Sequence, residues 1–267
     1  METQGKADKK KFLLLRSKEK NNFVDYFKDK PILSDISFDT NNINKAGWTY
    51  IYQDINAFKI LSNLRLKNPD VNFQLLDVGS RFDSVIFFAT QMSTTFLEAR
   101  GKEGSFPDLN IKFIKGEAQN ILVKDNSFNI ITSLHALEHF GLGRYGDTID
   151  YYGDQKSLKE FKRVLAPGGL LILSVPACRD YCIKFNEGRF YSPDVVDAML
   201  ESAGFSIQKR YFIFPYGTVQ IHEESSTDKH VTMMTILEDD QGRRIFDKWS
   251  EFYTDIDIAY FTLSKIV

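Results

Sequence analysis

The chain has 267 residues, enough for one well-buried core, and its 43% hydrophobic and 26% charged residues are ordinary for a globular protein. This composition excludes a disordered, collagen-like or coiled-coil chain. The 34 Lys and Arg against 36 Asp and Glu give a formal net charge of −2, so we expect neither a nucleic acid nor an anionic membrane as partner.

The sequence favours a cytoplasmic location. No apolar run approaches the roughly 18 residues of a membrane span. A basic start is followed by only four apolar residues, 12–15, which is too short for the core of a signal peptide. Two cysteines cannot build a disulfide scaffold, so a reducing compartment is compatible with the sequence.

The first predicted unit is a basic extension over residues 1–45, which we expect to be loosely packed and solvated. The predicted domain occupies residues 46–267. It opens with an amphipathic helix from Trp48 to Leu66, because apolar residues recur there at helical spacing. These residues are Ile51, Ile55, Phe58, Leu61 and Leu64.

Short β-rich runs then alternate with helical or loop segments, a pattern that predicts a parallel sheet covered by helices. The predicted strands are Phe73–Val78, Thr94–Glu98, Ile111–Ile114, Phe128–Ser133, Leu170–Val175, Phe205–Phe214 and Ile258–Ile266. Helices are predicted over Gln155–Leu165 and Ser192–Gly204, the second with Ser192 as N-cap and Pro193 at its first position. A polar, acidic insertion occupies about residues 218–257.

Ligands of open parallel sheets bind at the carboxyl ends of the strands, so the residues just past each strand are candidates for a site. Asp77 ends the first strand, and Gly79 permits a tight turn there. Glu98 follows the second strand, 21 residues beyond Asp77, the spacing at which an acid binds ribose hydroxyls. Glu117 and His135 follow the third and fourth strands. Each alone is compatible with an ordinary turn or helix cap.

At this point the chain resembles the class I S-adenosylmethionine-dependent methyltransferases over about Trp48 to Phe214. The strongest match is the stretch 158–176, where a helix is followed by Arg163-Val164-Leu165-Ala166-Pro167-Gly168-Gly169 and a strand. The segment 125–131 resembles the entry to the family's fourth strand. The resemblance implies a Rossmann-like, doubly wound α/β fold with a mostly parallel sheet of seven strands and helices on both faces.

A narrower resemblance is to an uncharacterised family, a domain of unknown function, marked by the block 133–147 (SLHALEHFGLGRYGD). One departure from the superfamily pattern concerns the first loop, where only Gly79 of three expected glycines is present and Arg81 and Asp83 occupy the loop. Either the loop is re-routed and Arg81 pairs with the methionine carboxylate, or the cofactor site has decayed.

The resemblance implies S-adenosyl-L-methionine as cofactor and a site in three parts. Cofactor contacts are expected from Asp77, Gly79, Arg81, Glu98, Glu117, Ala118 and Leu134. His135 is the first candidate for a base or substrate ligand because imidazole titrates near neutrality. His139 is the second candidate, and Glu138 lies between them; a loop-packing role is the alternative for these residues.

The acceptor is expected to contact the loop 141–147 and the segment after the fifth strand. Its candidate ligands are Arg144, Tyr145, Asp147, Asn186 and Arg189. Arg144 suits a phosphate or carboxylate, but an internal Arg144–Asp147 pair in a rigid loop is the competing interpretation. No metal site is predicted, and Cys178 and Cys182 are expected to be buried thiols.

The sequence therefore predicts a methyltransferase, with O-methylation of a small polar acceptor such as a sugar or glycan precursor as the favoured reaction. The alternative is a non-catalytic, methyltransferase-like scaffold or binding module. A nicotinamide-dependent oxidoreductase is disfavoured because the glycine fingerprint of dinucleotide binding is missing. The oligomeric state is left open.

Overall fold

A computed structural model describes residues 2–19, 22–27, 32–33, 48–100, 104–177, 182–214, 217–221 and 259–266. The helices in these ranges are α1 (Glu2–Glu19), α2 (Trp48–Lys67), α3 (Phe82–Ala89), α4 (Gly153–Val164) and α5 (Pro193–Ser202). The first six strands are β1 (Ile32–Leu33), β2 (Gln74–Val78), β3 (Ser93–Glu98), β4 (Gly104–Phe106), β5 (Ile111–Lys115) and β6 (Phe128–Leu134). The other six are β7 (Leu165–Pro176), β8 (Cys182–Lys184), β9 (Gly188–Phe190), β10 (Phe205–Phe214), β11 (Gly217–Ile221) and β12 (Ala259–Ile266).

Nine of the described strands form one sheet in the order β11-β10-β12-β7-β6-β2-β3-β5-β4. The five central strands from β7 to β5 are mutually parallel, and β12 is antiparallel to both of its neighbours. This arrangement confirms the predicted Rossmann-like α/β class. The seven predicted strands are all present, and the short β4 and β11 extend the sheet at its two edges by antiparallel pairing.

Both faces of the sheet are covered, as the continuous apolar strands predict. On β7, Leu171 and Leu173 belong to one buried cluster, whereas Leu170 and Ile172 belong to another. The first cluster includes Phe161 of α4 and residues of α5, and the second includes residues of α2 and α3. Successive side chains of the strand therefore pack on opposite helical layers.

The Pro-Gly-Gly segment, residues 167–169, was expected between a helix and a strand but lies within the strand β7. The helix α4 ends at Val164, and β7 begins directly afterwards at Leu165, which pairs with Phe128. The next recorded pair is Leu170 with Ile130, so the ladder shifts register across the Pro-Gly-Gly residues. Gly168, with φ of +72°, lies inside this bulge, which is therefore an irregularity of the strand and not a turn between helix and strand.

The predicted helix α2 is confirmed, but the predicted apolar face is wrong in its first half. Ile51 and Ile55 are 45% and 40% exposed, whereas Gln53 is buried along with Ala57 and Leu61. The buried stripe thus recurs every four residues from Gln53, next to the stripe that the apolar residues alone indicate. This offset turns a polar side chain toward the sheet.

The expectation of a loosely packed start is wrong for the described part of residues 1–45. Phe12 of α1 is fully buried, and its ring centroid lies 4.8 Å from that of Tyr151 and 5.2 Å from that of Phe185. Arg16 forms an ion pair with Asp25 at 2.7 Å. A single buried aromatic residue in a lysine-rich sequence gives no periodic pattern, so the docking of α1 was not predictable.

Two sequence expectations fall largely outside the described residues. Of the polar insertion over 218–257, the described residues are 218–221, which belong to β11. Cys178 is also outside the described residues, whereas Cys182 lies on β8 with intermediate exposure, so the expectation of a buried thiol is wrong for Cys182.

Candidate functional site

The ends of four neighbouring strands are level with one another. Val78 pairs with Leu97 across β2 and β3, Asp77 with Thr132 across β2 and β6, and Leu134 with Ser174 across β6 and β7. This register brings Asp77, Glu98 and His135 to one edge of the sheet. Glu117 follows β5, the next strand along.

Asp77 is a fully buried acid that holds the first loop. Its Oδ1 accepts the backbone N–H of Ser80 at 3.0 Å, and its Oδ2 accepts the Thr132 hydroxyl at 2.6 Å. The Oγ of Ser80 in turn accepts the backbone N–H of Leu134 at 3.0 Å. Burial raises the pKa of Asp77 to about 7, against the opposing effect of these hydrogen bonds. Asp77 therefore ties the loop after β2 to the end of β6.

Gly79 occupies a backbone position that excludes a side chain. Its φ is +73°, and an added Cβ would lie 3.2 Å from the Cβ of Ala136. Its N–H donates to Leu97 O at 3.2 Å, which fixes the turn beside the residue that precedes Glu98. The turn predicted from this glycine is thus present.

Arg81 forms an exposed pair with a residue of its own loop. Its guanidinium donates to both carboxylate oxygens of Asp83, and its Cζ lies 5.7 Å from the ring centroid of Tyr50. Phe82 does not enter the space between the strand ends, because its ring packs on Phe96 and Phe113.

Glu98 is held by a neighbouring arginine. Arg100 donates to its Oε1 at 2.9 Å and to its Oε2 at 2.8 Å. Burial acts to raise the pKa of Glu98, but the hydrogen bonds and charge of Arg100 outweigh it and the pKa is lowered. The Arg100 Cζ also lies 4.3 Å from the ring centroid of Tyr145, so one guanidinium joins the predicted ribose acid to the acceptor loop.

Glu117 and Ala118, two further predicted cofactor residues, lie at the end of β5. The Glu117 Oε1 accepts the backbone N–H and the hydroxyl of Thr148, at 3.1 Å and 2.9 Å. Ala118 is buried. In this arrangement Glu117 anchors the far end of the loop that carries Arg144.

His135 stands at the end of β6 with its backbone in the left-handed region, at φ of +48°. Its N–H donates to Ser174 O at 3.0 Å. The ring Nδ1 lies 2.6 Å from Gln53 Oε1, which also accepts the Ser174 hydroxyl at 2.6 Å. The ring centroid of Tyr50 lies 4.7 Å away, and the buried Nε2 has no hydrogen-bond partner in the described part of the chain. Burial lowers the pKa of His135 to about 3, so the imidazole is neutral.

Glu138 and His139 lie on a short 3-10 turn, Leu137–His139, that follows β6. The Glu138 side chain is buried, and no residue in the described ranges forms a hydrogen bond with its Oε2. Burial raises the pKa of Glu138 to about 8, so the carboxyl is mostly protonated at neutral pH. The His139 Nδ1 lies 2.7 Å from Glu187 O, and burial together with the charge of Arg144 lowers its pKa.

The loop 141–147 is rigid for reasons that differ from the predicted Arg144–Asp147 pair. Its three glycines all have positive φ. The Asp147 Oδ2 accepts the N–H of Gly141 at 2.9 Å, and its Oδ1 accepts the N–H of Tyr145 at 3.2 Å. Asp147 is therefore used by the loop backbone. Arg144 instead donates to the carbonyls of Glu187 at 3.1 Å and Asn186 at 3.5 Å.

Arg189 does not line an acceptor pocket, which corrects the sequence expectation. Its side chain is fully buried, donating to Phe140 O at 2.7 Å and to Tyr151 O at 2.8 Å. Its Nε lies 3.5 Å from an oxygen of the buried Asp154. These contacts satisfy the guanidinium inside the protein. Asn186, with φ of +69°, contributes its backbone carbonyl to Arg144 from the β8–β9 turn.

Three side chains of α2 belong to this site and were missed by the sequence reasoning. Tyr50 packs on His135, Gln53 binds His135 and Ser174, and the charges of Arg81 and Asp83 act on Asp54. The sequence signal was the spacing of Tyr50, Gln53 and Ala57, which places a polar residue on the buried stripe of an amphipathic helix. Arg100 was also missed because it stands in no motif, and Ser174 was missed although it lies in the stretch 158–176, whose helix, Pro-Gly-Gly segment and strand carried the resemblance.

The arrangement combines a tight glycine turn, an acid at the next strand end and a neutral imidazole with a free nitrogen. Glu98 has two oxygens of the kind that bind two vicinal hydroxyls, both held by Arg100 in this structure, and Gly79 gives the loop beside it a positive φ. These residues fit an adenosyl cofactor. Within the described ranges, no group of three or more His, Cys, Asp or Glu is arranged to hold a metal ion.

Comparison with known families gives one match. Residues 110–235 match the family described as "Caenorhabditis protein of unknown function, DUF268". The match spans a little under half of the chain and contains the block 133–147. No curated protein matches the chain.

Solved structures similar to the chain include S-adenosylmethionine-dependent methyltransferases. The 1,6-didemethyltoxoflavin-N1-methyltransferase of Burkholderia thailandensis, solved with its substrate and S-adenosylhomocysteine, is 12% identical over 81% of each chain, with a TM-score of 0.51. A SAM-dependent methyltransferase of Aquifex aeolicus is 14% identical over 82% of this chain and 92% of its own, with a TM-score of 0.45. The [4+2]-cyclase SpnF is 14% identical over 79% of this chain and 81% of its own, with a TM-score of 0.49.

At 12% identity, the likeness to the Burkholderia enzyme shows that the chain shares the methyltransferase fold. No helix in the described part of the chain is long and apolar enough to span a membrane.

Proposed function

We propose that this chain is an S-adenosylmethionine-dependent methyltransferase that methylates a hydroxyl of a small polar acceptor, such as a sugar or a glycan precursor, in the cytoplasm. The observation that carries the proposal is the bond from the Gly79 N–H to Leu97 O at 3.2 Å. It fixes the turn after β2 next to Glu98, the acid with the spacing of a ribose ligand. The methyltransferase fold is consistent with this assignment.

In the proposed reaction, the chain mainly positions its ligands. Glu98 would accept hydrogen bonds from the two ribose hydroxyls, and Gly79 would let the cofactor approach the backbone. Asp77 holds the turn in place through its hydrogen bonds with Ser80 and Thr132. When bound, S-adenosylmethionine would supply a methyl group on a sulfonium, and in-line attack by the acceptor oxygen on the methyl carbon would release S-adenosylhomocysteine and a proton. His135 Nε2 would accept a hydrogen bond from the acceptor hydroxyl as a substrate ligand, because burial lowers its pKa to about 3 and makes it a weak base.

The acceptor loop provides the other half of the proposed site. Arg144 binds neutral carbonyls of Asn186 and Glu187, so its positive charge is available to a phosphate or carboxylate elsewhere on the acceptor. Tyr145 forms a wall between Arg144 and Arg100, whose Cζ atoms lie 5.7 Å and 4.3 Å from its ring centroid.

A second candidate function is a non-catalytic, methyltransferase-like binding module. The observation that favours it is the internal pairing of two of the charged residues expected to meet the cofactor, Arg81 with Asp83 and Glu98 with Arg100. If these pairs persist, the methionine carboxylate and the ribose hydroxyls have no partners.

Calorimetric titration with S-adenosylmethionine and S-adenosylhomocysteine decides between the two functions. For the enzyme we expect micromolar binding of both ligands, and loss of about tenfold to a hundredfold in affinity in Glu98→Ala, because hydrogen bonds to a charged acid are lost. Asp108→Ala serves as the control. It removes an exposed acid that precedes β5, at the opposite end of the parallel strands from Glu98. A folded wild-type chain that binds neither ligand refutes the enzyme and leaves the binding module.

A further inference from the structure

Gln53 is a buried polar residue whose position needs an explanation. It is 1% exposed, on the face of α2 that packs against the sheet. Burying an amide in apolar surroundings is unfavourable unless it is hydrogen-bonded. Its Oε1 meets two partners at 2.6 Å, His135 Nδ1 and Ser174 Oγ, so the amide is tied to the one imidazole at the end of β6.

The hydrogen bonds around Ser174 determine which nitrogen of His135 carries the proton. The Ser174 Oγ accepts the backbone N–H of His135 at 3.2 Å, so its own proton is free to go to Gln53 Oε1. A carbonyl oxygen only accepts, and it therefore needs a donor at Nδ1 of His135 as well. With the Gln53 Oε1 at 2.6 Å and the Ser174 Oγ at 3.3 Å from Nδ1, this arrangement favours a proton on Nδ1 and a lone pair on Nε2.

Among the residues that the structure describes, nothing forms a hydrogen bond with the Nε2 of His135. A buried acceptor without a hydrogen bond destabilises the fold, and such groups are rare unless they have a function. The ring of Tyr50 lies over the imidazole, with centroids 4.7 Å apart. Tyr50 is on the first turn of α2, so this aromatic contact joins that turn to the end of β6.

We propose that His135 Nε2 accepts a hydrogen bond from the reacting O–H or N–H group of the acceptor, and that Gln53 and Ser174 are the positioning residues that keep this nitrogen unprotonated. The substrate class then comprises alcohols, phenols and amines. Carboxylates are excluded, because a carboxylate oxygen would face a lone pair. This inference about the acceptor rests on the proposed function, whereas the tautomer of His135 does not.

The tautomer is measured by long-range ¹H–¹⁵N correlation spectra of the imidazoles in the full chain. The chain has four histidines, and loss of one signal in His135→Gln assigns the resonance. At pH 7 we expect the neutral tautomer with its proton on Nδ1. At pH 5 this tautomer should persist without conversion to the imidazolium. In Gln53→Leu the preference should relax to a mixture of tautomers. Asn63→Leu, at an exposed position of the same helix, is the control and should change nothing.

The substrate class is tested with ethanol and acetate, two small probes matched in size, added at equal concentrations to the labelled protein. Ethanol should move the His135 Nε2 resonance, and acetate should leave it in place. An Nε2–H tautomer or an imidazolium at pH 7 overturns the role of Gln53 and Ser174. A larger shift with acetate, or none with ethanol, overturns the substrate class. Absence of S-adenosylhomocysteine binding with the Nδ1–H tautomer intact refutes the proposed function alone.

Discussion

Replacement of Glu138 by Gln tests the buried site without any ligand. Glu138 keeps its proton in the folded chain up to about pH 8, because burial raises its pKa, whereas the unfolded chain loses that proton near its ordinary pKa of 4.5. Between those values the folded state binds more protons than the unfolded state. The free energy of unfolding contributed by this residue therefore falls as the pH rises from 4.5 to 8.

The size of the effect follows from the difference between the two pKa values. Each pH unit well inside this window contributes about 1.4 kcal/mol, so the contribution of Glu138 falls by about 2.5 kcal/mol between pH 5 and pH 7. Gln has the shape of a protonated Glu and does not titrate. Relative to wild type, Glu138→Gln should thus be more stable at pH 7 than at pH 5 by about 2.5 kcal/mol.

The assay is urea unfolding of both proteins at pH 5 and pH 7, with the variant compared with wild type at each pH. His135 and His139 titrate in both proteins and cancel in the comparison. Ile131→Val, a buried change without charge on β6, should cost about 1 kcal/mol at both pH values. If the difference between Glu138→Gln and wild type is the same at both pH values, Glu138 is ionised when folded and our account of the site is wrong.

Three further predictions concern the loops and α1. Arg100→Ala should tighten binding of S-adenosylhomocysteine about two- to fivefold in calorimetry, since an exposed pair worth about 0.5–1 kcal/mol no longer competes for Glu98; weaker binding would mean that Arg100 contacts the ligand. Gly79→Ala should lower the free energy of unfolding by about 1–3 kcal/mol and weaken the binding of S-adenosylhomocysteine, because φ is +73° and the new Cβ meets the Cβ of Ala136. An unchanged melting temperature would contradict this prediction. Phe12→Ala should cost about 3–5 kcal/mol in urea unfolding, whereas Leu14→Ala, at a residue 53% exposed, should stay within about 0.5 kcal/mol; equal effects would place α1 off the core.

The fold was predictable because strands buried on both faces are marked by continuous apolar residues. The end of each strand, and hence the neighbourhood of Asp77, Glu98 and His135, follows from the same signal. Side-chain partners were not predictable. Arginine is a residue type that often contacts ligands. Arg189 is instead an interior residue, because backbone carbonyls distant in sequence accept its hydrogen bonds.

Gln53 illustrates a second limit of sequence reasoning. A helix with two overlapping stripes, one through Ile51 and one through Gln53, is oriented by its tertiary neighbours and not by its own pattern. The energy that selects the second stripe comes partly from hydrogen bonds to Ser174 and His135, residues 121 and 82 positions away. No local window contains that information.

The insertion of β12 between β7 and β10 has a consequence for synthesis of the chain. Both neighbours are translated before residues 259–266, and neither has another partner on that side. Until β12 arrives, the growing polypeptide exposes two hydrogen-bonding edges, of which β7 is long and apolar. Ribosome-bound intermediates that end before residue 259 should therefore be strongly prone to aggregation and should be clients of chaperones that bind extended segments.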